Sequence, residues 1–216
     1  MNLTSLILQL GEGMLTSIVV FALTLLFAIP LGMLVALARM SKNRLVAGIM
    51  RIYISIMRGT PLMLQLLVVF FGPYYLFRIN LGSNYRFPAV IVAFSINYAA
   101  YFAEIYRGGI ASMPKGQYEA AEVLGYTRAQ TFMHIILPQV VKRVIPSVTN
   151  EVITLVKDTS LAFVLSVTEM FTAAKAIAAA EKSVIPYLAA GIFYYIFNFL
   201  VAILMERVEK RLDYYR

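Results

Sequence analysis

Cysteine and tryptophan are absent from this 216-residue chain, histidine occurs once, and only 14% of the residues are charged. Without cysteine there is neither a disulfide nor a thiolate for redox or metal chemistry. The lone His134 has no second ligand beside it for a metal, and no nucleophile–base pair stands out, so an enzyme finds no support. The sequence G-x-x-x-x-G-K-[ST] is missing as well; Gly108-Gly109 lacks the lysine and the preceding strand of a phosphate-binding loop. Charge is well below the roughly one-quarter share found in soluble domains.

What fills the space is apolar. Hydrophobic residues make up 61% of the chain and the mean hydropathy is +0.77. Several uncharged runs approach the roughly 20 residues that a membrane-crossing helix needs. The fold class read from this is an all-α integral membrane protein, one domain over residues 1–216, with about five transmembrane helices. The expected spans are 14–38, 61–77, 87–113, 139–156 and 184–205. Residues 41–59 carry Arg44, Arg51 and Arg58 among apolar positions and read as an interfacial helix. Residues 157–183 read as a largely helical, partly re-entrant connector. The start, MNLTSLILQLGEG, has no basic segment and no A-x-A site, so the first span reads as retained. The net charge of +8 is scattered between apolar runs and forms no stripe for nucleic acid.

The basic residues fix an expected orientation. With the N-terminus outside, only Arg78, Arg86, Lys157, Lys175 and Lys182 of the 19 Lys and Arg fall on the outer side. The remainder lie inside, which predicts N-out, C-in. An odd number of spans cannot be cut into two equal inverted halves. Five helices are also too few to enclose a solute pathway, so a second copy related by a two-fold axis is expected.

Between the third and fourth spans lies PKGQYEAAEVLGYTRAQTFMHIILPQ, residues 114–139. Pro114 suits a helix start, Gly125 a left-handed stop, and Thr127 with Gln130 a capping box. The first of these short helices carries Glu119, Ala120 and Ala121, whose small side chains suit close approach by another protein. Glu119-Ala120-Ala121, Gly125, Ile135 and Leu137-Pro138 have the spacing EAA-x3-G-x9-I-x-L-P. In this the chain resembles the membrane subunits of binding-protein-dependent ABC importers. RGTPL at 58–62, AEIYRGGI at 103–110 and KDTSL at 157–161 resemble the branch serving polar amino acids.

That resemblance implies a type I importer permease, multi-pass in a bacterial cell membrane, with residues 114–138 as the loop that docks on a cytoplasmic ATPase. Glu119, Ala120, Ala121 and Gly125 would be the coupling residues. ATP and Mg2+ would sit on a dimer of ATPase subunits and none on this chain. An extracytoplasmic solute-binding protein would deliver the amino acid, and a second permease copy would complete the pathway.

Ionisable and polar groups within spans are the candidate solute contacts, because burying them is costly. Asn97, Tyr101 and Glu104 recur at i, i+4, i+7 on one helical face. Glu104 and Arg107 also stand i, i+3, where a local ion pair is the alternative. Asp158-Thr159-Ser160-Leu161 reads as a helix start with Asp158 as N-cap. There the N–H groups of Ser160 and Leu161 would meet a substrate carboxylate, and Asp158 the α-ammonium. Two acidic residues with no lysine or histidine on the same faces favour a cationic amino acid: arginine, lysine or histidine. Glu151 is a further pathway candidate, while Glu169, Lys175, Glu181 and Lys182 read as a solvated outer face. The rival function is a channel or proton-coupled carrier that works without ATP and titrates Glu104 and Asp158.

Overall fold

Every apolar run of the sequence becomes helix, because a backbone in hydrocarbon must satisfy its own hydrogen bonds. The computed structural model describes residues 3–212, and no strand occurs among the described residues. The elements are α1 (Leu3–Arg39), α2 (Arg44–Gly59), α3 (Leu62–Phe77), α4 (Arg86–Ala111), α5 (Lys115–Val123), α6 (Arg128–Gln130), α7 (Leu137–Asp158), α8 (Met170–Glu181) and α9 (Ile185–Leu212).

At its centre stands α4, buried along most of its length by Ala89, Phe94, Tyr98, Phe102 and Tyr106 among others. Beside it runs α1, which contributes a stripe at helical spacing: Leu10, Ser17, Val20, Thr24, Ala28 and Val35. The two helices meet at Gly32, where a Cβ would lie 2.8 Å from that of Phe102 and 3.1 Å from the Ala99 carbonyl. Higher on the same stripe, a Cβ on Gly13 would come 2.9 Å from the Met170 Cα at the start of α8. Small residues here allow backbones to approach, which is the main source of helix adhesion where lipid replaces water.

Three helical stretches are long and apolar enough to cross a membrane unaided: 4–39, 83–111 and 185–212. Two bent pairs, α2 with α3 at 114° and residues 128–165 with α8 at 60°, meet the same test of length and composition only when each pair is taken together. On its own α3 has 16 residues, about 24 Å at 1.5 Å per residue, short of the ~30 Å hydrocarbon core. The helices overrun the expected spans at both ends of the chain, with α1 beginning at Leu3 and α9 reaching Leu212.

The bend between α2 and α3 has a chemical cause. Pro61 has no N–H to give the Met57 carbonyl, four residues back. That carbonyl instead accepts from Gln65 Nε2 and Asn97 Nδ2, both at 3.0 Å. Gln65 also donates to the Thr60 hydroxyl at 2.8 Å and accepts from Asn97 at 2.9 Å. The RGTPL segment is thus a helix break pinned to α4 by two amide side chains.

Candidate functional site

The 114–138 loop is built largely from local bonds. Its first helix, α5, closes with Gly125 N–H to the Glu122 carbonyl and Tyr126 N–H to that of Ala121, each at 3.0 Å. This is a Schellman ending, and Gly125 takes the left-handed φ of 79° that it requires. Thr127 and Gln130 form the full capping box expected of them. Pro114 stands one residue earlier than a first helical position, as N-cap of α5.

Glu119 and Ala120 are exposed, but Ala121 is turned inward and is 1% exposed. The close-approach surface expected of all three residues is therefore only partly presented. What the loop offers outward instead is Val123 and Leu124, 88% and 73% exposed, beside half-exposed Tyr118 and Tyr126. The sequence reading passed over these two, although a V-L pair just before a helix-ending glycine in a polar loop was visible.

Beyond α6 the chain does not run straight into α7. Thr131–Ile136 is wound as a π-helix, with the Leu137 N–H bonded to the Phe132 carbonyl five residues back. Three side chains back-bond carbonyls four residues earlier around this turn: Thr131 to Thr127, His134 to Gln130 and Gln139 to Ile135. His134 is exposed and engaged only with its own helix.

The polar groups of the spans sort into two sets. Asn97 belongs to the first; it is 4% exposed and both amide protons serve the α2–α3 break, so it supports the backbone and does not open on a pathway. The second set gathers along one side of α4. The Arg58 guanidinium lies over the Tyr101 ring at 5.3 Å from its centre. Glu104 is held by Arg107 in a forked pair, the local ion pair that their spacing allowed. Arg58 lies within Coulombic range of both Glu104 and Glu151, and Glu151 of Asp158. Tyr101, Glu104, Glu151 and Asp158 are all half-buried on this side, and Arg58 is exposed. In a single copy of the chain the cluster lies open on a face.

Asp158 does not cap a helix. Its backbone is right-handed helical and its side chain makes no capping bond. The chain continues from α7 into a 3-10 turn over Thr159–Leu165 without a break, so Ser160 and Leu161 do not form a free helix N-terminus. The Asp158 carboxylate instead accepts from the Tyr98 phenol at 2.7 Å. The Ser160 hydroxyl is tied back to the Lys157 carbonyl at 2.8 Å.

The true break comes later. Ser166 takes a left-handed φ of 54°, and Glu169 caps α8. Its carboxylate accepts from the N–H groups of Phe171 and Thr172 and from the hydroxyls of Thr172 and Tyr194. Glu169 is 0% exposed, so its expected place on a solvated outer face is wrong. Lys175, Glu181 and Lys182 are exposed, as expected. The group of His, Asp and Glu needed to hold a metal ion does not occur among the described residues.

With this geometry in hand, known proteins supply the context. The family described as binding-protein-dependent transport system inner membrane component matches residues 28–214. The L-cystine transport system permease protein TcyB of Bacillus subtilis is 39% identical over 208 residues, covering 95% of this chain and 87% of the relative. The arginine transport system permease protein ArtQ of the same organism is 33% identical, covering 93% and 91%. The crystal structure of an amino acid ABC transporter with histidines superposes with a TM-score of 0.86 at 28% identity, over 98% of this chain and 99% of that one.

Proposed function

Because the chain belongs to the family of binding-protein-dependent transport system inner membrane components, we propose that it is the membrane permease subunit of an ATP-driven importer of polar amino acids. The observation that carries this is the 114–138 loop: a short helix closed at its C-terminal end, with Glu119, Ala120, Val123 and Leu124 outward. Such a knob fits a groove on an ATPase subunit. Closure of two ATPase subunits would draw two such loops together and alternate the access of the pathway between them. ATP and Mg2+ belong on those subunits, and an external binding protein would deliver the solute.

Two copies of this chain, N-terminus out and C-terminus in with five passes each, form the complete unit in this reading. The open cluster of Tyr101, Glu104, Glu151 and Asp158 supports it, since a facing copy would turn that open side into part of a chamber. Asp158 would receive the α-ammonium.

The finer proposal is a cationic amino acid, supported by Glu151 and Asp158, which make no ion pair among the described residues. Arg58 and Arg107 weigh against Glu104 as the side-chain contact. The test is reconstitution into liposomes with the ATPase subunits and binding protein. Uptake should require ATP and all three components, and arginine should compete better than glutamine. Solute flux through this protein alone would overturn the importer reading. An unchanged preference in Glu104→Gln would remove that residue from side-chain recognition.

A further inference from the structure

Two carboxylates on the open side of α4 are held in opposite ways. Glu104 receives a guanidinium from Arg107, which orients it and cancels its charge. Asp158 receives a phenol from Tyr98, which orients it and leaves its charge in place. A hydrogen bond to an ionised oxygen is stronger than a neutral one, so the phenol fixes the carboxylate without supplying a cation.

Tyr98 is built to do this. It is 2% exposed and its ring lies parallel to Phe94, with centres 6.4 Å apart, and against Phe102 at 6.3 Å. Those neighbours bury the ring, and its only polar atom points across to the end of α7. The bond occupies Asp158 Oδ2; Oδ1 takes no donor among the described residues and is not sealed from solvent. A phenylalanine would satisfy the packing alone.

We infer that Tyr98 is a positioning residue for amino acid recognition, aiming Asp158 Oδ1 at the substrate ammonium through its bond to Oδ2. This rests on the reading of Asp158 as the α-ammonium contact. Neither side chain of the pair needs to move for an ammonium to add to the free oxygen. A dicarboxylic or uncharged side chain on the substrate would make no difference to this contact, so it serves the class of α-amino acids and not one member.

The test is equilibrium binding to the purified complex of permease and ATPase subunits, without the binding protein. The probe is whichever of radiolabelled L-arginine and L-cystine the unaltered complex binds more tightly. Tyr98→Phe keeps the stack and should weaken binding about tenfold, as loss of one hydrogen bond to a charged group would. Asp158→Asn should weaken it at least as much, and the double variant should bind no worse than Asp158→Asn. Phe94→Leu thins the stack but keeps the phenol, and should lower the unfolding temperature with binding changed less than twofold. If Tyr98→Phe binds normally while Asp158→Asn does not, or if the two effects add, the role of Tyr98 is overturned and that of Asp158 stands. A Phe94→Leu loss equal to that of Tyr98→Phe would likewise reduce Tyr98 to packing. Normal binding by Asp158→Asn would remove the recognition reading and the inference with it.

Discussion

The chain is interrupted on both sides of α7, and the two interruptions are made of different material. The one expected inside, residues 124–136, is exposed over 124–130, turns inward at Thr131 and Ile136, and is closed mostly by bonds between residues no more than five apart. The one expected outside, residues 159–169, is mostly buried, Ser166 and Thr168 apart, and closed by Glu169, which gathers donors from α8 and α9. Next to it the Met170 N–H reaches Ser17 of α1 at 3.4 Å. An exposed break made of local bonds can be carried by a partner as a unit, since its bonds travel with it. A buried break bonded to three other helices is a fixed point. In the importer proposed above, the difference would suit a lever: α7 anchored at its outer end and driven at its inner end through a π turn.

The sharpest way to break this comparison is Glu169→Ala. The change strands two backbone N–H groups and the Tyr194 hydroxyl in a buried site. Each unsatisfied buried donor costs about 1–3 kcal/mol, so the loss should exceed ~3 kcal/mol in thermal or denaturant unfolding of the detergent-solubilised protein. Glu169→Gln keeps one acceptor oxygen and should fall between. A loss below ~1 kcal/mol for the alanine variant would mean that the outer break is not anchored by this residue.

Tyr194→Phe divides the anchor further. It removes only the α9 contact at 3.1 Å, leaving the two N–H caps in place. About 1.5–3 kcal/mol is expected, as for one hydrogen bond to a charged acceptor. An effect as large as that of Glu169→Ala would place the anchor in α9 and not in the cap.

The same contrast explains what was legible in the sequence. Gly125 and the Thr127–Gln130 box were readable because their chemistry is local: a left-handed residue and a reciprocal cap depend on neighbours three or four positions away. The helices were readable because apolar runs have one solution in lipid. Glu169 was not, since VTEMFTAAK looks polar-flanked and its burial is set by α1 and α9, far off in sequence. Asp158 was misread for the complementary reason: D-T-S has the form of a cap, but Tyr98, sixty residues earlier, claims the carboxylate. Gln65 was overlooked despite a fair signal, a lone amide in an uncharged run beside Pro61. The pairing of Glu104 with Arg107 was visible as the alternative to a solute contact, because i, i+3 is again local.

At the inner break, Gly125→Ala tests mobility with local closure. The left-handed φ of 79° costs a side chain about 1 kcal/mol. The whole protein should unfold as before, since the loop is exposed and adds little to the core. Coupling should suffer instead: ATPase activity in the reconstituted complex becomes less responsive to substrate and binding protein. A fall in global stability beyond ~1 kcal/mol would show the inner break to be as structural as the outer.

The smallest expected effect comes from Ser166→Gly, and it compares the two breaks on equal terms. Both use a left-handed residue, but the inner break has glycine where the outer has serine at φ 54°. Ser166 is exposed, and its N–H bonds the Phe163 carbonyl at 2.9 Å through backbone alone. Glycine would relieve the side-chain penalty of this conformation and lose some of the gain to its greater freedom when unfolded. The net should be a stabilisation of a few tenths to about 1 kcal/mol, read as a small rise in unfolding temperature with transport unchanged. If the outer break is a fixed point held by Glu169, easing its backbone costs nothing in function. A loss of transport on adding glycine there would mean that the break must stay stiff for the lever to work, and that its strain has a mechanical role.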